Sequence, residues 1–290
     1  MQHILENDQL TVTVSTAGAE VQSVRSQTTG QEYIWTADPE VWARHAPVLF
    51  PIVGKLKEDQ YRLGEETYRM TQHGFARDQE FKVIEQAAQQ ITLGLTASPE
   101  TTDQYPFNFA LDIAYQLTDN QLATTYRVIN HDPSAMPFSV GGHPGFLCPS
   151  QVDGHEETYA LLFEQKETVS RHLLSGGLRT GETRPVLQNE RKLSLNPALF
   201  EEDALIFTDL ASDAVSIVPQ STGQPMVTVR FPGFPYLGIW QKVEADFYCI
   251  EPWYGLADPV EASGIFSEKE GIITLAPEEI FAATYSIVFH

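Results

Sequence analysis

Positive charge is scarce in this chain of 290 residues. It contains 18 Lys and Arg against 39 Asp and Glu, which gives a formal net charge of -21. Such an acidic chain repels the phosphate backbone of nucleic acids and the anionic surface of a membrane. The composition therefore argues against both kinds of partner, and we expect a small molecule instead.

Long apolar runs are missing too. No stretch approaches the roughly 20 apolar residues that span a bilayer. The first ten residues, MQHILENDQL, lack the basic start and apolar run of a secretion signal. We therefore expect a soluble, cytoplasmic protein. The sequence does not indicate how many subunits assemble.

Residues that bind metals are few and widely spaced. The two cysteines, Cys148 and Cys249, cannot form a disulfide framework or a four-thiolate zinc site, and we expect them to be small buried apolar residues. The eight histidines contain no His-x-His or His-Glu-x2-His pattern. A metal site would have to gather ligands from distant strands, so we predict no metal and no cofactor.

Sustained helical periodicity is also lacking, whereas alternation of apolar and polar residues is frequent. It predicts strands near 10–14, 91–97, 111–117, 122–128, 227–231, 237–239 and 283–289, with a hairpin turn at 118–121. The best helix candidate, about two turns over 196–202, begins with Asn196 as a cap and Pro197. Many short strands and no linker predict an all-β sandwich or barrel, as one domain over residues 1–290.

Three segments break this alternation and are rich in Gly, Pro, aromatic and ionisable residues: 47–57 leading to 72–78, 140–146, and 248–255. In the second, His143 is flanked by Gly141-Gly142 and Pro144-Gly145. This backbone is not regular strand interior, and the glycines allow a ligand or another chain segment to approach closely. The alternative is a turn histidine satisfied by a backbone carbonyl.

Glu251 follows the apolar run 247–250 and lies two residues before Trp253. A carboxylate at the end of a buried strand is partly desolvated, which raises its pKa and makes the ionised form a stronger base. The alternative is a structural ion pair or a carboxylate that caps backbone groups.

His73 and Arg77 lie four residues apart, so on a strand both could project into one concave surface. The region around them is locally basic, with Arg44, Lys55, Lys57, Arg62, Arg69 and Arg77 between positions 44 and 77. Protection of strand edges explains Arg62 and Arg69. For Arg77 we favour a hydrogen bond to a ligand or to a catalytic carboxylate.

Four segments occur in a recognisable order: Gly54–Lys57, His73–Asp78, Gly142–Phe146 and Cys249–Pro252. Together they resemble the aldose 1-epimerase (galactose mutarotase) superfamily, and most closely its short bacterial branch associated with lactose and galactose utilisation. The resemblance implies a large antiparallel β-sandwich, the galactose mutarotase-like supersandwich, whose concave face binds a hexose.

The resemblance also implies roles for individual residues. His143 corresponds to the general acid that protonates the ring oxygen, and Glu251 to the base that removes the proton of the anomeric hydroxyl. His73 corresponds to a second, sugar-binding histidine.

The other binding residues are matched less closely. Lys55 or Lys57 falls where the family places a basic binding residue, and Asp203 matches an aspartate that holds sugar hydroxyls, with Glu201 and Glu202 as rivals. One departure is the segment after His73, which has the form of the hexose-6-phosphate epimerase branch, so free and phosphorylated hexoses both stay open as substrates.

Mutarotation opens a hemiacetal to the aldehyde and recloses it on the other face. It needs one acid and one base, which we place on opposite sides of the sugar ring, with His143 protonated and Glu251 ionised at the start. It needs no metal, nucleotide or covalent intermediate. We expect the aromatic walls of the site to come from Phe75, Phe146, Trp253 and Tyr254.

Three alternatives compete with a free-hexose mutarotase. The first acts on a phosphorylated hexose, with Arg77, Arg44 and the Lys55/Lys57 pair as a phosphate clamp. The second is a metal-dependent β-sandwich oxygenase with ligands His73, His143 and Glu251. The third is a carbohydrate-binding sandwich without catalysis, which needs no acid and base pair.

Overall fold

The computed structural model describes residues 1–152 and 154–290. Within these residues the regular structure is almost entirely β-strand, which confirms the predicted fold class. One short α-helix, α1 (Pro99–Thr102), and four single 3-10 turns interrupt the strands, at Lys57–Asp59, Ala76–Asp78, Pro197–Phe200 and Phe266–Glu268. No helix in this part of the chain has the length and apolarity required to cross a membrane.

The strands are numbered in chain order. They are β1 (Gln2–Glu6), β2 (Leu10–Ser15), β3 (Val21–Ser26), β4 (Val48–Leu49), β5 (Gln60–Leu63), β6 (Glu66–Arg69), β7 (Lys82–Ala87), β8 (Gln90–Thr96), β9 (Phe109–Thr118), β10 (Gln121–Asn130), β11 (Met136–Phe138), β12 (Val140–Gly142), β13 (Gly145–Leu147), β14 (Gln151–Val152), β15 (His155–Glu156), β16 (Tyr159–Ser175), β17 (Leu178–Ser194), β18 (Leu205–Thr208), β19 (Ala214–Pro219), β20 (Val227–Arg230), β21 (Tyr236–Trp240), β22 (Phe247–Tyr254), β23 (Ile273–Leu275) and β24 (Ile280–Phe289).

Strands form where the sequence alternates. Each of the seven alternating runs coincides with an observed strand, β2, β8, β9, β10, β20, β21 or β24, although the runs at β8 and β20 extend one residue beyond the strand. Strands β9 and β10 make the expected hairpin, with Thr118 paired to Gln121 across the turn. Along β8 the buried positions are every second residue, as a sheet with one buried face requires.

Fifteen strands form one antiparallel sheet, whose main path runs β4-β12-β22-β21-β18-β16-β19-β20-β24-β10-β9-β8-β7. Strands β13 and β17 pair with β22 and β16 beside that path. Phe50, next to β4, and Phe109, in β9, have ring centroids only 5.2 Å apart. Ten strand spacings of about 4.8 Å would separate these strands by ~50 Å in a flat sheet. The sheet therefore folds back on itself, and its two halves enclose the core as in a sandwich.

The enclosed core is one large cluster of buried side chains with members from Leu5 to Phe289. A second, smaller apolar layer lies on the other face of the strands around β22. Tyr248 and Ile250 belong to the main core, whereas Cys249 and Trp253 belong to the smaller layer. Both cysteines are buried and free, as expected.

The helix prediction over 196–202 was wrong in type and length. The segment forms one 3-10 turn, Pro197–Phe200, and the side chain of Asn196 makes no capping hydrogen bond. The first residues of the segment favour a helix. Strand β18 begins soon afterwards, at Leu205, and pairs with β21, so tertiary pairing overrides the local helix propensity. The α-helix lies elsewhere, at α1, where Ser98 and Thr101 form a reciprocal capping box.

Candidate active site

A cavity of about 340 Å³ opens on the face of the sheet that carries the smaller apolar layer. Its volume is at the lower end of the range of about 300–1,000 Å³ found for small-molecule sites. The lining residues are Trp42, Gly54, Gln72, His73, Arg77, His143, Leu174, Gly177, Asp203, Ala204, Ile206, Trp240, Glu251, Trp253 and Ala257. His73, Arg77, His143, Asp203 and Glu251, all predicted from the sequence, thus meet in one cavity.

Glu251 reaches the cavity because of its place in the alternation of β22. Its neighbours Tyr248 and Ile250 belong to the main core, so Cys249, Glu251 and Trp253 face the other side. The side chain of Glu251 is only 1% exposed, yet it forms part of the cavity wall. The strand therefore presents a desolvated carboxyl group to any ligand in the cavity.

His143 projects from the break between β12 and β13, where its backbone N–H donates to the Pro47 carbonyl at 3.1 Å. The flanking glycines make room for other side chains of the protein. A Cβ at Gly142 would lie 2.7 Å from the Tyr126 hydroxyl, and one at Gly145 would lie 2.8 Å from the ring of Trp42. Among the described residues, the buried Nδ1 of His143 has no hydrogen-bond partner, so this is not a turn histidine satisfied by a carbonyl.

The two predicted catalytic groups are in direct contact. Nε2 of His143 lies 3.1 Å from Oε2 of Glu251. The contact is not aligned as a hydrogen bond, and Oε2 has no other partner within the described residues. The sequence prediction of one group on each side of a sugar ring is therefore wrong, because both groups lie on the same wall of the cavity.

Burial determines the charge of this pair. Burial, together with the positive charges of Arg77 and Arg44, lowers the pKa of His143 to about 3. Burial raises the pKa of Glu251 well above its usual value, and the nearby Asp203 carboxylate raises it further. The unliganded cavity thus favours neutral His143 beside protonated Glu251, whereas the sequence suggested the charged form of both.

His73 is held by backbone geometry. Its Nδ1 accepts a hydrogen bond of 3.1 Å from the backbone N–H of Gly54, so the ring proton lies on Nε2. Gly54 has a φ of +74° and a Cβ there would lie 2.6 Å from Ala257, which explains the glycine of this motif. The ring of His73 is perpendicular to that of His143, with centroids 5.5 Å apart. Burial and the neighbouring positive groups lower the pKa of His73, so it is a neutral donor.

The two arginines near the cavity differ in their partners. Nη2 of Arg77 donates to the Gln72 carbonyl at 2.6 Å, while its buried Nε has no aligned acceptor in the described chain. Arg44 instead donates to Oδ1 of Asp78 at 2.7 Å and lies outside the lining. Only Arg77 therefore presents its guanidinium to the cavity.

Asp203 is the one of three neighbouring acids that lies in the cavity wall. It has a φ of +74°, and its Oδ1 accepts a hydrogen bond from the backbone N–H of Ala204 at 2.8 Å. Its rival Glu202 is paired with Arg171 and Arg184 on the outside.

Neither predicted lysine enters the lining. Nζ of Lys55 donates to the Gly176 carbonyl at 3.2 Å, at the tip of the β16–β17 hairpin. Lys57 lies where the chain turns into a 3-10 turn, and its backbone N–H donates to Oδ2 of Asp258. The basic residue that faces the cavity is Arg77.

The aromatic walls differ from the prediction. Phe75 and Phe146 are buried in the main core and Tyr254 packs against it, so of the four predicted aromatics only Trp253 lines the cavity.

Sequence reasoning missed Trp42 and Trp240, which contact the ring of His143 at centroid distances of 5.0 and 5.6 Å. Alternation could have found Trp240, because Leu237 and Ile239 face the main core. Trp42 lies in an irregular segment without such a pattern.

One group of side chains is close enough to hold a metal ion in the described part of the chain. A ring nitrogen of His143, the sulfur of Cys249 and a carboxylate oxygen of Glu251 lie within 4.8 Å of one another. Burial raises the pKa values of both the Cys249 thiol and the Glu251 carboxyl. The group therefore favours protons over a divalent cation, which would need both residues ionised.

Comparisons with known proteins agree with this arrangement. Along 98% of its length the chain is 32% identical to protein LacX encoded on a plasmid of Lactococcus lactis subsp. lactis, of which it covers 97%. A structure of a galactose mutarotase related enzyme from Lactobacillus acidophilus superposes with a TM-score of 0.93 and 36% identity, covering 100% of this chain and 97% of that one.

A galactose mutarotase-like protein from Lactobacillus casei gives a TM-score of 0.94 and 32% identity, with 100% of both chains covered. These likenesses confirm the galactose mutarotase-like β-sandwich. Residues 1–273 match the family described as Aldose 1-epimerase. The chain therefore belongs to the aldose 1-epimerase family, in the branch that includes these lactococcal and lactobacillal proteins.

Proposed function

We propose that this protein is a mutarotase that interconverts the α and β anomers of a free hexose such as galactose or glucose. The observation that carries the proposal is the contact of 3.1 Å between His143 and Glu251 in the wall of a cavity sized for one sugar. The family and the names of the related structures support the same reaction class.

The adjacency of the two groups suits the chemistry. The anomeric hydroxyl and the ring oxygen are bonded to the same carbon, C1, so the two protons move at atoms only two bonds apart. A carboxylate of Glu251 accepts the hydroxyl proton while the imidazolium of His143 protonates the ring oxygen, and the C1–O5 bond breaks. Rotation about C1–C2 and reversal of both transfers give the other anomer.

The charge state that burial favours for His143 and Glu251 is the one they have after ring opening, in the middle of the reaction. After ring opening the carboxyl of Glu251 holds a proton and the imidazole of His143 is neutral, the same form that burial favours in the unliganded cavity. The two forms of the pair contain the same number of protons and differ only by transfer between the two groups. The cavity therefore stabilises the pair as it exists beside the open-chain aldehyde.

The expected rate gain is adequate for this reaction. A well-placed acid or base contributes about 10²- to 10⁴-fold. Two such groups give roughly 10⁴ to 10⁸ if their effects multiply. The donor Nε2 of His73, the guanidinium of Arg77 and the carboxylate of Asp203 supply hydrogen bonds to the remaining sugar hydroxyls.

A free hexose fits the charges better than a hexose phosphate. The proposed phosphate clamp is not assembled, because Arg44 is occupied by Asp78 and Lys55 by the carbonyl at the hairpin tip. Arg77 remains, and it shares the cavity with two carboxyl groups, from Asp203 and Glu251. A phosphate would meet one cation and two acids there.

The test is polarimetry on freshly dissolved α-D-galactose, α-D-glucose and α-D-glucose 6-phosphate. We expect the wild-type protein to accelerate relaxation of the free sugars and to act at least tenfold less well on the phosphate. Preference for the phosphate would replace this proposal with the 6-phosphate epimerase. Sugar binding, followed by quenching of tryptophan fluorescence, without faster relaxation would identify a carbohydrate-binding protein that lacks catalysis.

We also propose that residues 1–290 act as one domain without a metal or organic cofactor. The continuous core from Leu5 to Phe289 supports the first part, and the proton chemistry of the pair supports the second. Activity that survives dialysis against EDTA is the expected result, and loss restored by a divalent metal would contradict it. The cytoplasmic location stays a prediction from the sequence.

A further inference from the structure

Trp253 lies two residues after Glu251 on β22 and faces the same cavity. Its indole Nε1 is buried and has no aligned hydrogen-bond acceptor in the described part of the chain. Oε2 of Glu251 likewise has no aligned donor there. An unpaired donor and an unpaired acceptor at positions i and i+2 lie on the same face of the strand, and buried polar groups rarely stay unpaired.

Two glycines fix the plane of the indole. Gly141, in β12, pairs with Trp253, and a Cβ there would lie 2.6 Å from Cδ1 of the ring. Gly238, in β21, pairs with Glu251, and a Cβ there would lie 2.4 Å from Cη2. The ring therefore lies across both neighbouring strands in a slot that any larger residue would close. Such a slot sets the direction of the N–H bond.

We propose that Trp253 is a positioning residue, whose indole N–H holds the carboxylate of Glu251 in the orientation that accepts the anomeric proton. The inference rests on the proposed role of Glu251 as the base. It assigns a purpose to Gly141 and Gly238, which leave room for this ring.

The groups around Glu251 act on it in opposite directions. Burial and the Asp203 carboxylate raise its pKa, while the nearby indole N–H of Trp253 lowers it. The other titratable groups that face it are His143, across the 3.1 Å contact, and the Cys249 thiol of its own strand. Because these groups stay unchanged when only Trp253 is replaced, a shift in the titration of Glu251 reports on the indole N–H.

The first test is Trp253→Phe, which keeps an aromatic ring in the slot and removes the N–H. A lost hydrogen bond to a charged group should raise the pKa of Glu251 and so move the alkaline limb of the pH profile of kcat, where Glu251 loses its proton, upward by about one to two units. We expect KM to stay within about twofold and kcat below that limb to fall about tenfold per unit, because less of the pair has Glu251 ionised. The control is Trp35→Phe, which removes an indole N–H from a buried tryptophan outside the cavity lining and should leave the midpoint of the limb unchanged.

Two outcomes of this test would contradict the proposed role of Trp253. A rise in KM with an unmoved limb would mean that the N–H binds the sugar and would overturn the inference. An unmoved limb together with an unchanged KM would overturn it as well.

A second test needs no turnover. The four tryptophans give four indole N–H signals in a ¹H–¹⁵N spectrum. The Trp253 signal is assigned by its loss in Trp253→Phe or, if that variant does not fold, by single replacement of the other three. We expect it to shift as Glu251 titrates and to lose this pH dependence in Glu251→Gln. A signal indifferent to pH would contradict the inference even if the protein is a mutarotase, and the expected shift without activity would refute only the proposed function.

Discussion

In each of two buried pairs, an acidic and a basic side chain are in contact, but the two pairs differ in their hydrogen-bond partners. Lys269 and Asp258 are 2.7 Å apart, with side chains only 2% and 6% exposed. Nζ of Lys269 also donates to the Leu256 carbonyl at 2.6 Å, and the second carboxylate oxygen of Asp258 accepts from the backbone N–H of Lys57. Every charged atom of this pair has a partner.

His143 and Glu251 are buried to a similar degree but lack such partners. Their contact of 3.1 Å is not aligned, and Nδ1 of His143 and Oε2 of Glu251 have no hydrogen-bond partner among the described residues. A saturated pair has no polar atom left to offer a ligand. An unsaturated pair costs stability and leaves its polar atoms available to a ligand, which is typical of a functional site.

The largest expected effect is on the rate. Replacement His143→Ala should lower kcat by about 10²- to 10⁴-fold, because it removes one of two proton-transfer groups. Polarimetry measures the rate, and circular dichroism should show an intact fold. His131→Ala, at an exposed histidine directly after the end of β10, serves as the control and should retain full activity. Retention of more than about a tenth of the rate in His143→Ala would remove this residue from the mechanism.

The second effect is on stability. Lys269→Met should destabilise the fold by about 3–5 kcal/mol, because it leaves the Asp258 carboxylate buried and unpaired. Urea denaturation measures this loss, while kcat per folded molecule should stay near that of the wild type. Arg127→Met is the matched control, since its pair with Asp112 is partly exposed and such pairs contribute only about 0–1 kcal/mol. Equal losses in the two variants would show that the buried pair is not structural.

The third effect separates Asp203 from its rivals. Asp203→Asn should lower kcat/KM about tenfold or more, since a hydrogen bond from a sugar hydroxyl to a charged acceptor is weakened. Glu201→Gln, which changes a neighbouring exposed acid outside the cavity, should have little effect. The comparison uses steady-state kinetics with one hexose. A larger loss in Glu201→Gln would move the binding role to that residue.

The smallest effect is a pH-dependent change in melting temperature. Burial raises the pKa of Glu251 above its ordinary value of 4.5, so the folded protein binds this proton more tightly than the unfolded chain does. The resulting stabilisation is complete below pH 4.5 and is lost as the pH rises through the folded pKa. Glu251→Gln removes the titration, so its melting temperature should match the wild type near pH 4 and exceed it by roughly 2–4 °C per kcal/mol at pH 8. A difference that shrinks as the pH rises would contradict the buried, unsaturated state of Glu251.

Much of the fold could be predicted because one face of each strand is buried. Alternation identified β8, β9 and β10 with their hairpin, since burial on one side forces a period of two. The same rule failed for β16, whose pairing with β17 shifts register four times between Leu162 and Leu174. Each shift changes which face the next residues occupy, so no continuous alternation remains to be recognised.

The sequence predicted which residues form the site better than it predicted their arrangement. The glycines around His143 suggested close approach, but whether by a ligand or by Tyr126 and Trp42 depends on packing across distant strands. The contact between His143 and Glu251 joins residues more than a hundred positions apart, and nothing local to either fixes its distance. For the same reason the sequence did not show that Phe75 and Phe146 lie in the main core and not in the cavity wall.

The most direct test of the central claim is the relaxation of optical rotation of fresh α-D-galactose in the presence of wild-type protein and of Glu251→Gln. We expect relaxation well above the buffer rate for the wild type and a loss of at least about 10²-fold in the variant, with sugar binding retained. Relaxation in Glu251→Gln at a rate near that of the wild type would show that the pair of His143 and Glu251 does not carry the proton transfers.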